Sequence, residues 1–151
     1  LHPKQVRDLR YDAGDSVNPG IDLGQAYGGF VQGLGWVTTE DIKWDVRGNL
    51  LTHSPDTYKI PTANDIPKDF RVSLLTDVPN PAVIGRSKAV GEPPLMLALS
   101  VWLAIKDAIS SVDNHTTEPE FSLPATNEVI LLSVDRLRKK QRTTATEARA
   151  T

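Results

Sequence analysis

Glu92 is the residue whose setting in this sequence is most suited to chemistry. It stands between Gly91 and the pair Pro93-Pro94, so its carboxylate is held on a constrained backbone at the point where a loop becomes a helix. A general base needs placement of this kind, because catalysis by proton transfer tolerates little slack between the base and the reacting atom. An acidic residue that only complements a helix dipole fits the same position and contributes a few tenths to about 1 kcal/mol. From the residue types alone this plainer reading is the commoner one.

Other chemistries find less support. His2, His53 and His115 are scattered, with no HxH or HxxxH pairing, and the sequence contains no cysteine to complete a zinc site. The same absence excludes disulfides and iron-sulfur ligation within these residues and makes a reducing cytoplasm the default compartment. No GxSxG elbow or Ser-His-Asp order supports a hydrolase. The sequon Asn114-His115-Thr116 has no secretory signal beside it. Trp36, Trp44 and Trp102 read as core or interface residues before ligand platforms.

A formal net charge of -2 with a pI near 5.9 gives no electrostatic reason to expect nucleic acid or an anionic membrane, and points to small molecules or proteins as partners. The chain opens Leu-His-Pro-Lys without Met or a targeting signal, and is expected to be a fragment or a processed product. The apolar run from Pro93 to Ile105 covers about 13 residues where a bilayer-crossing helix needs about 20; a buried helix is the expectation.

The elements that must position Glu92 follow from periodicity. Gln5 to Asp12 alternates through Val6, Leu9 and Tyr11 and predicts a short strand, ended by Ala13-Gly14-Asp15 and Asn18-Pro19-Gly20. Asp22 is a candidate N-cap for an amphipathic helix reaching Thr38, with Leu23, Tyr27, Phe30, Val31 and Leu34 at intervals of three and four. Its glycines cost about 1 kcal/mol each relative to Ala. The pairs Gly24/Gly28 and Gly29/Gly33, four apart, would line tracks along which another backbone or a cofactor approaches. They do not form GxGxxG or a P-loop.

Residues 40–44 and 49–53 flank Asp45-Val46-Arg47-Gly48 and predict a β-hairpin. Residues 57–67 read as irregular, and 70–76 as a strand halted by 77–81. The apolar stretch after Pro93 predicts a helix to about Val112, and Thr126 to Lys140 a second, with basic residues near its end. Residues 143–151 are expected as a disordered tail. Eleven Pro and ten Gly, mostly in the first two thirds, favour short elements joined by ordered loops. The fold class is therefore α+β: short strands, a hairpin, a Gly-rich helix, a buried apolar helix and a C-terminal helix.

Several strings go beyond pattern. Tyr58-Lys59-Ile60-Pro61 followed by Ser87-Lys88-Ala89-Val90-Gly91-Glu92-Pro93-Pro94 resembles the molybdenum-binding region of the xanthine dehydrogenase family. Ser16-Val17-Asn18-Pro19-Gly20-Ile21-Asp22-Leu23-Gly24-Gln25 and Gly28-Gly29-Phe30-Val31-Gln32-Gly33 belong to the same resemblance, which runs from about Tyr11 to Ile109 with an echo at Leu123-Pro124-Ala125-Thr126. One departure is Ala26-Tyr27, where the family commonly shows a β-branched residue and a glutamate.

The resemblance implies that residues 1–142 are the C-terminal part of a larger molybdopterin-binding domain. It implies a molybdenum-molybdopterin cofactor, with Glu92 as the general base and Gln25, Gly91 and Lys88 beside the cofactor. No residue is assigned as a direct metal ligand. Gly-Glu-Pro-Pro, rather than the Gly-Glu-Ser more usual in aldehyde oxidases and carbon monoxide dehydrogenases, favours hydroxylation of xanthine and hypoxanthine to urate. Aldehyde or other N-heterocycle oxidation, and a non-catalytic remnant acting as scaffold, are the alternatives. Iron-sulfur clusters and FAD would lie in other domains or subunits, an oligomer is expected, and the family's substrate-orienting arginine and glutamate would precede these residues.

Overall fold

Asn18 begins the element on which the rest is built. The computed structural model describes residues 8–150. In it the Asn18 side chain accepts from the Ile21 backbone N–H at 3.2 Å, and Pro19 occupies the first helical position, where its missing N–H costs nothing. Helix α1 accordingly spans Pro19–Thr38, about 30 Å. The cap expected at Asp22 therefore moves to Asn18. Asp22 lies in the first turn, buried, and accepts from Ser16 Oγ at 2.5 Å.

The two predicted strands exist and pair with each other. β1, Asp8–Tyr11, and β2, Arg71–Leu74, run parallel in the register Asp8↔Arg71 to Tyr11↔Leu74, with α1 in the connection between them, as parallel pairing requires. Residues 5–7 of the expected first strand lie outside the described residues. Phe70, just before β2, sets its ring 5.0 Å from both Phe30 and Tyr27, and Tyr27 Oη accepts from the Val72 N–H at 3.3 Å. The departure at Ala26-Tyr27 thus has a structural use: Ala26 is fully buried and Tyr27 docks the strand.

The expected hairpin is reduced to one bridge, Trp44–Leu50. The Asp45 carboxylate accepts from the backbone N–H groups of Arg47 and Asn49, each at 2.8 Å, and from Asn49 Nδ2 at 2.8 Å. These side-chain bonds organise the turn in place of a longer ladder.

The apolar stretch divides into α2, Pro93–Met96, and α3, Leu99–Ser110, because the joint at Leu97-Ala98 is tightened by i→i−3 bonds, Leu97 N–H to Pro94 and Ala98 N–H to Leu95. By length and composition alone Pro93–Asp113, 21 residues of mean hydropathy 1.6, could cross a bilayer. In the structure one face of it enters the core, where Val101, Ile105 and Ile109 join Phe30, Leu34 and Val37. The buried helix of the expectation is buried on that face only; Met96 and Leu103 are exposed.

Leu123-Pro124-Ala125-Thr126 closes the core: Ala125, buried, donates its N–H to the Val37 carbonyl at 2.7 Å, and Thr126 Oγ1 accepts from Val129 N–H at 3.2 Å. Helix α4 follows over Asn127–Ala150, longer than the predicted 126–140. Residues 143–150, expected as a tail, continue the helix; Thr151 lies outside the described residues. The added turns are rich in Ala, Glu, Arg and Lys-flanked Gln, good helix formers, and Thr143, Thr144 and Thr146 turn their hydroxyls back to carbonyls four residues earlier.

Candidate functional site

The Ser87–Pro94 segment is anchored at both ends before Glu92 is considered. Upstream it lies along residues 11–15. Gly14 bridges Ser87, the Lys88 N–H donates to the Ala13 carbonyl at 2.8 Å, and the Asp15 N–H donates to the Arg86 carbonyl at 3.0 Å. Gly14 has φ +63°, and a Cβ on it would lie 2.6 Å from the Arg86 carbonyl oxygen, so both its backbone angle and its lack of side chain are required there. The Lys88 ammonium reaches Asp12 Oδ2 at 2.5 Å, and the Tyr11 hydroxyl donates to the Ala89 carbonyl.

These contacts shift two groups. The hydrogen bond from Lys88, then that from the Gly14 N–H, holds the Asp12 carboxyl below its ordinary value. Burial, followed by the negative charges of Asp12 and Asp22, pushes the Tyr11 phenol above its ordinary value. Tyr11 stays a donor and Asp12 an acceptor.

Downstream, α2 is pressed onto α1. A Cβ on Gly29 would lie 2.8 Å from Pro94 Cβ, and one on Gly33 would lie 2.7 Å from Ala98 Cβ and overlap the Leu95 carbonyl. The Gly29/Gly33 track therefore serves helix packing. Gly24 and Gly28 meet nothing within 4 Å; their side of α1 is open. The matched pairs Gly29–Pro94 and Gly33–Ala98 run in the same direction along both helices. Glu92 lies two residues before Pro94 in the chain, and Gln25 one turn before Gly29 on α1.

Glu92 itself is the N-cap residue of α2 but its side chain makes no cap bond. It is exposed, and its carboxylate has no hydrogen-bond or ion-pair partner among the described residues. Gln25 and Gly91 are likewise exposed, and a Cβ on Gly91 would meet nothing within 4 Å. Lys88 is placed differently: half-buried, with its ammonium engaged by Asp12. Glu92, Gly91 and Gln25 are thus each exposed, whereas Lys88 is half-buried with its ammonium on Asp12. Among the described residues no three His, Cys, Asp or Glu side chains gather as a metal site.

Tyr58-Lys59-Ile60-Pro61 lies at the far end of α1. The Lys59 carbonyl accepts from Thr39 Oγ1 at 2.8 Å, Tyr58 Oη donates to Glu40 at 2.7 Å, and Pro61 packs on Gly35. It braces α1 about 15 Å along the axis from Gln25.

Tyr11, Asp12 and Gly14 are the site-shaping residues that sequence reasoning missed. Asp12 followed by Gly14 is a local turn signal, and the Gly14 N–H does donate to Asp12 Oδ1 at 3.0 Å. Nothing local points to their partners some 75 residues away.

The profile of the molybdopterin cofactor-binding domain matches residues 6–67. The sequence is 49% identical to a xanthine dehydrogenase of Oryza sativa subsp. japonica over 93% of this chain and 11% of that protein. It is 53% identical to a xanthine dehydrogenase/oxidase of Gallus gallus over 84% of this chain and 10% of that one. The chain belongs to the molybdenum hydroxylase family. It spans about a tenth of the length of these curated relatives. The fold agrees: quinoline 2-oxidoreductase from Pseudomonas putida 86 superposes with a TM-score of 0.72 at 32% identity, covering 85% of this chain and 16% of that one. The α+β arrangement described above is thus a segment of a molybdenum hydroxylase cofactor-binding domain. The open positions at Gly24 and Gly28, the exposed Gln25 amide and the unpaired Glu92 carboxylate are of the kinds a molybdopterin-type group needs, close backbone approach and hydrogen-bonding partners.

Proposed function

We propose that this chain contributes the base-bearing portion of a xanthine dehydrogenase-type enzyme, hydroxylating xanthine and hypoxanthine to urate, with Glu92 as general base. The observation that carries the reading is a carboxylate with no partner among the described residues, on a segment anchored at Ala89 and again at Pro94. A helix-dipole role alone would not call for anchoring on both sides.

Molybdenum-molybdopterin, when bound, supplies the redox chemistry. The chain's own residues have simpler tasks. Glu92 accepts the proton of the oxygen nucleophile that attacks an electron-poor ring carbon, Gln25 offers its amide, and Gly91, Gly24 and Gly28 leave room for close approach. Lys88 acts from behind by holding Asp12. Because the sequence contains no cysteine, iron-sulfur clusters come from other domains or subunits, as does FAD. We place the assembled, oligomeric enzyme in the cytoplasm, and these 151 residues alone are expected not to turn over xanthine.

Similarity to quinoline 2-oxidoreductase favours a second reading that differs only in the N-heterocycle. In the complete enzyme, Glu92→Gln should lower turnover by roughly 10²- to 10⁴-fold, the usual worth of general-base catalysis, with molybdenum content retained. Near-normal turnover would remove Glu92 as the base. Comparing xanthine, hypoxanthine, quinoline and a simple aldehyde on the unaltered enzyme decides between the substrate readings.

A further inference from the structure

Two residues, Val90 and Gly91, separate the last upstream hydrogen bond on the Glu92 segment from Glu92. That bond runs from the Tyr11 hydroxyl to the Ala89 carbonyl. Beyond it Val90 packs, half-buried, on the cluster of Tyr11, Ala13 and Ala26. Gly91 follows with open space around it, then Glu92 without a cap bond, and then Pro94 locked against Gly29. Slack introduced at Ala89 would therefore appear at Gly91 and at the Glu92 side chain, since among the described residues Glu92 is otherwise held only by its carbonyl, which accepts from the Leu95 N–H at 3.1 Å.

Tyr11 is well suited to remove that slack. It closes β1 in register with Leu74, its carbonyl accepts from the Leu75 N–H at 2.8 Å, and it is 8% exposed. We propose that Tyr11 is a positioning residue for the hydroxylation: by holding the Ala89 carbonyl it fixes where the Glu92 carboxylate stands. This rests on the reading of Glu92 as base. A phenol stays protonated throughout the range where a carboxylate base titrates, and burial raises the Tyr11 hydroxyl further, so the anchor does not titrate with the base. The Asp12–Lys88 pair is a second, more exposed tie on the same segment.

The test uses the complete enzyme with Tyr11→Phe, Glu92→Gln and the double variant. Tyr11→Phe keeps the ring and removes only the donor. It should lower kcat roughly 10- to 100-fold, the scale of a misplacement near 1 Å, leave KM and molybdenum content unchanged, and shift the acid limb of the kcat/KM pH profile. Backbone hydrogen exchange at Lys88 and Leu95, whose N–H groups donate to the Ala13 and Glu92 carbonyls on either side of the segment, should rise while that of β1 and β2 does not. On the Glu92→Gln background Tyr11→Phe should have no further effect. Normal kcat, or unchanged exchange at Lys88 and Leu95, overturns the proposal while leaving Glu92 intact, as does an equal loss on both backgrounds. A fully active Glu92→Gln enzyme instead overturns the base assignment, and this proposal with it. If Tyr11→Phe lowers molybdenum content, Asp12→Asn loosens the same segment from its exposed side, and the same non-additivity with Glu92→Gln is required.

Discussion

Gly29 and Pro94 meet so closely that a single Cβ on the glycine would lie 2.8 Å from the proline Cβ. This contact sets the distance between α1 and the turn that carries Glu92, so a cost in helix propensity at Gly29 is offset by a fixed position for the carboxylate.

Gly33→Ala should therefore act on both stability and site. The added methyl would collide with the Leu95 carbonyl and Ala98, and overpacking of this kind costs about 1–3 kcal/mol. A lowered thermal midpoint together with reduced turnover checks it. Gly28→Ala is the contrasting variant: it meets nothing within 4 Å and should leave the midpoint unchanged or slightly raised, while lowering molybdopterin content if the cofactor approaches this side.

Asn18→Ala removes the side-chain cap of α1 and should cost about 1 kcal/mol. Hydrogen exchange of the backbone amides in residues 20–23 reads the loss locally, and Asn18→Asp should restore protection.

Asp12 makes the anchor sensitive to acid. Its folded pKa lies below the unfolded value, so its contribution is fully present above the ordinary aspartate range of about 4 and is lost as pH falls through the folded pKa. Asp12→Asn should make the thermal midpoint less dependent on pH in that acidic window. Parallel midpoint curves for the two proteins would contradict the assignment. The pair is partly exposed, so the effect should be small and should shrink with salt.

How far the sequence was legible depends on whether the signal was local. The amphipathic run of Leu23, Phe30 and Leu34 announced α1, but Asn18-Pro19-Gly20 looked like a breaker, although Asn before Pro is also a helix start. The strands at Leu9 and Val72 were visible by alternation; their parallel pairing was not, since it depends on contacts across some 60 residues. The hairpin shrank because Asp45 satisfies the turn with its own carboxylate. Thr143 to Ala150 continued the helix because composition there favours it more than terminal position disfavours it. At the site, the setting of Glu92 could be read from its neighbours, and the strings around Gln25 and Gly91 carried the family resemblance. Tyr11 and Asp12 could not be read, since their partners, Ala89 and Lys88, are distant in sequence.

The anaerobic single-turnover reduction of the complete enzyme by xanthine tests the central claim most directly, because it isolates the step in which a base takes the proton. Glu92→Gln with full molybdenum content should slow that reduction by roughly 10²-fold or more. A rate equal to that of the unaltered enzyme would contradict the account.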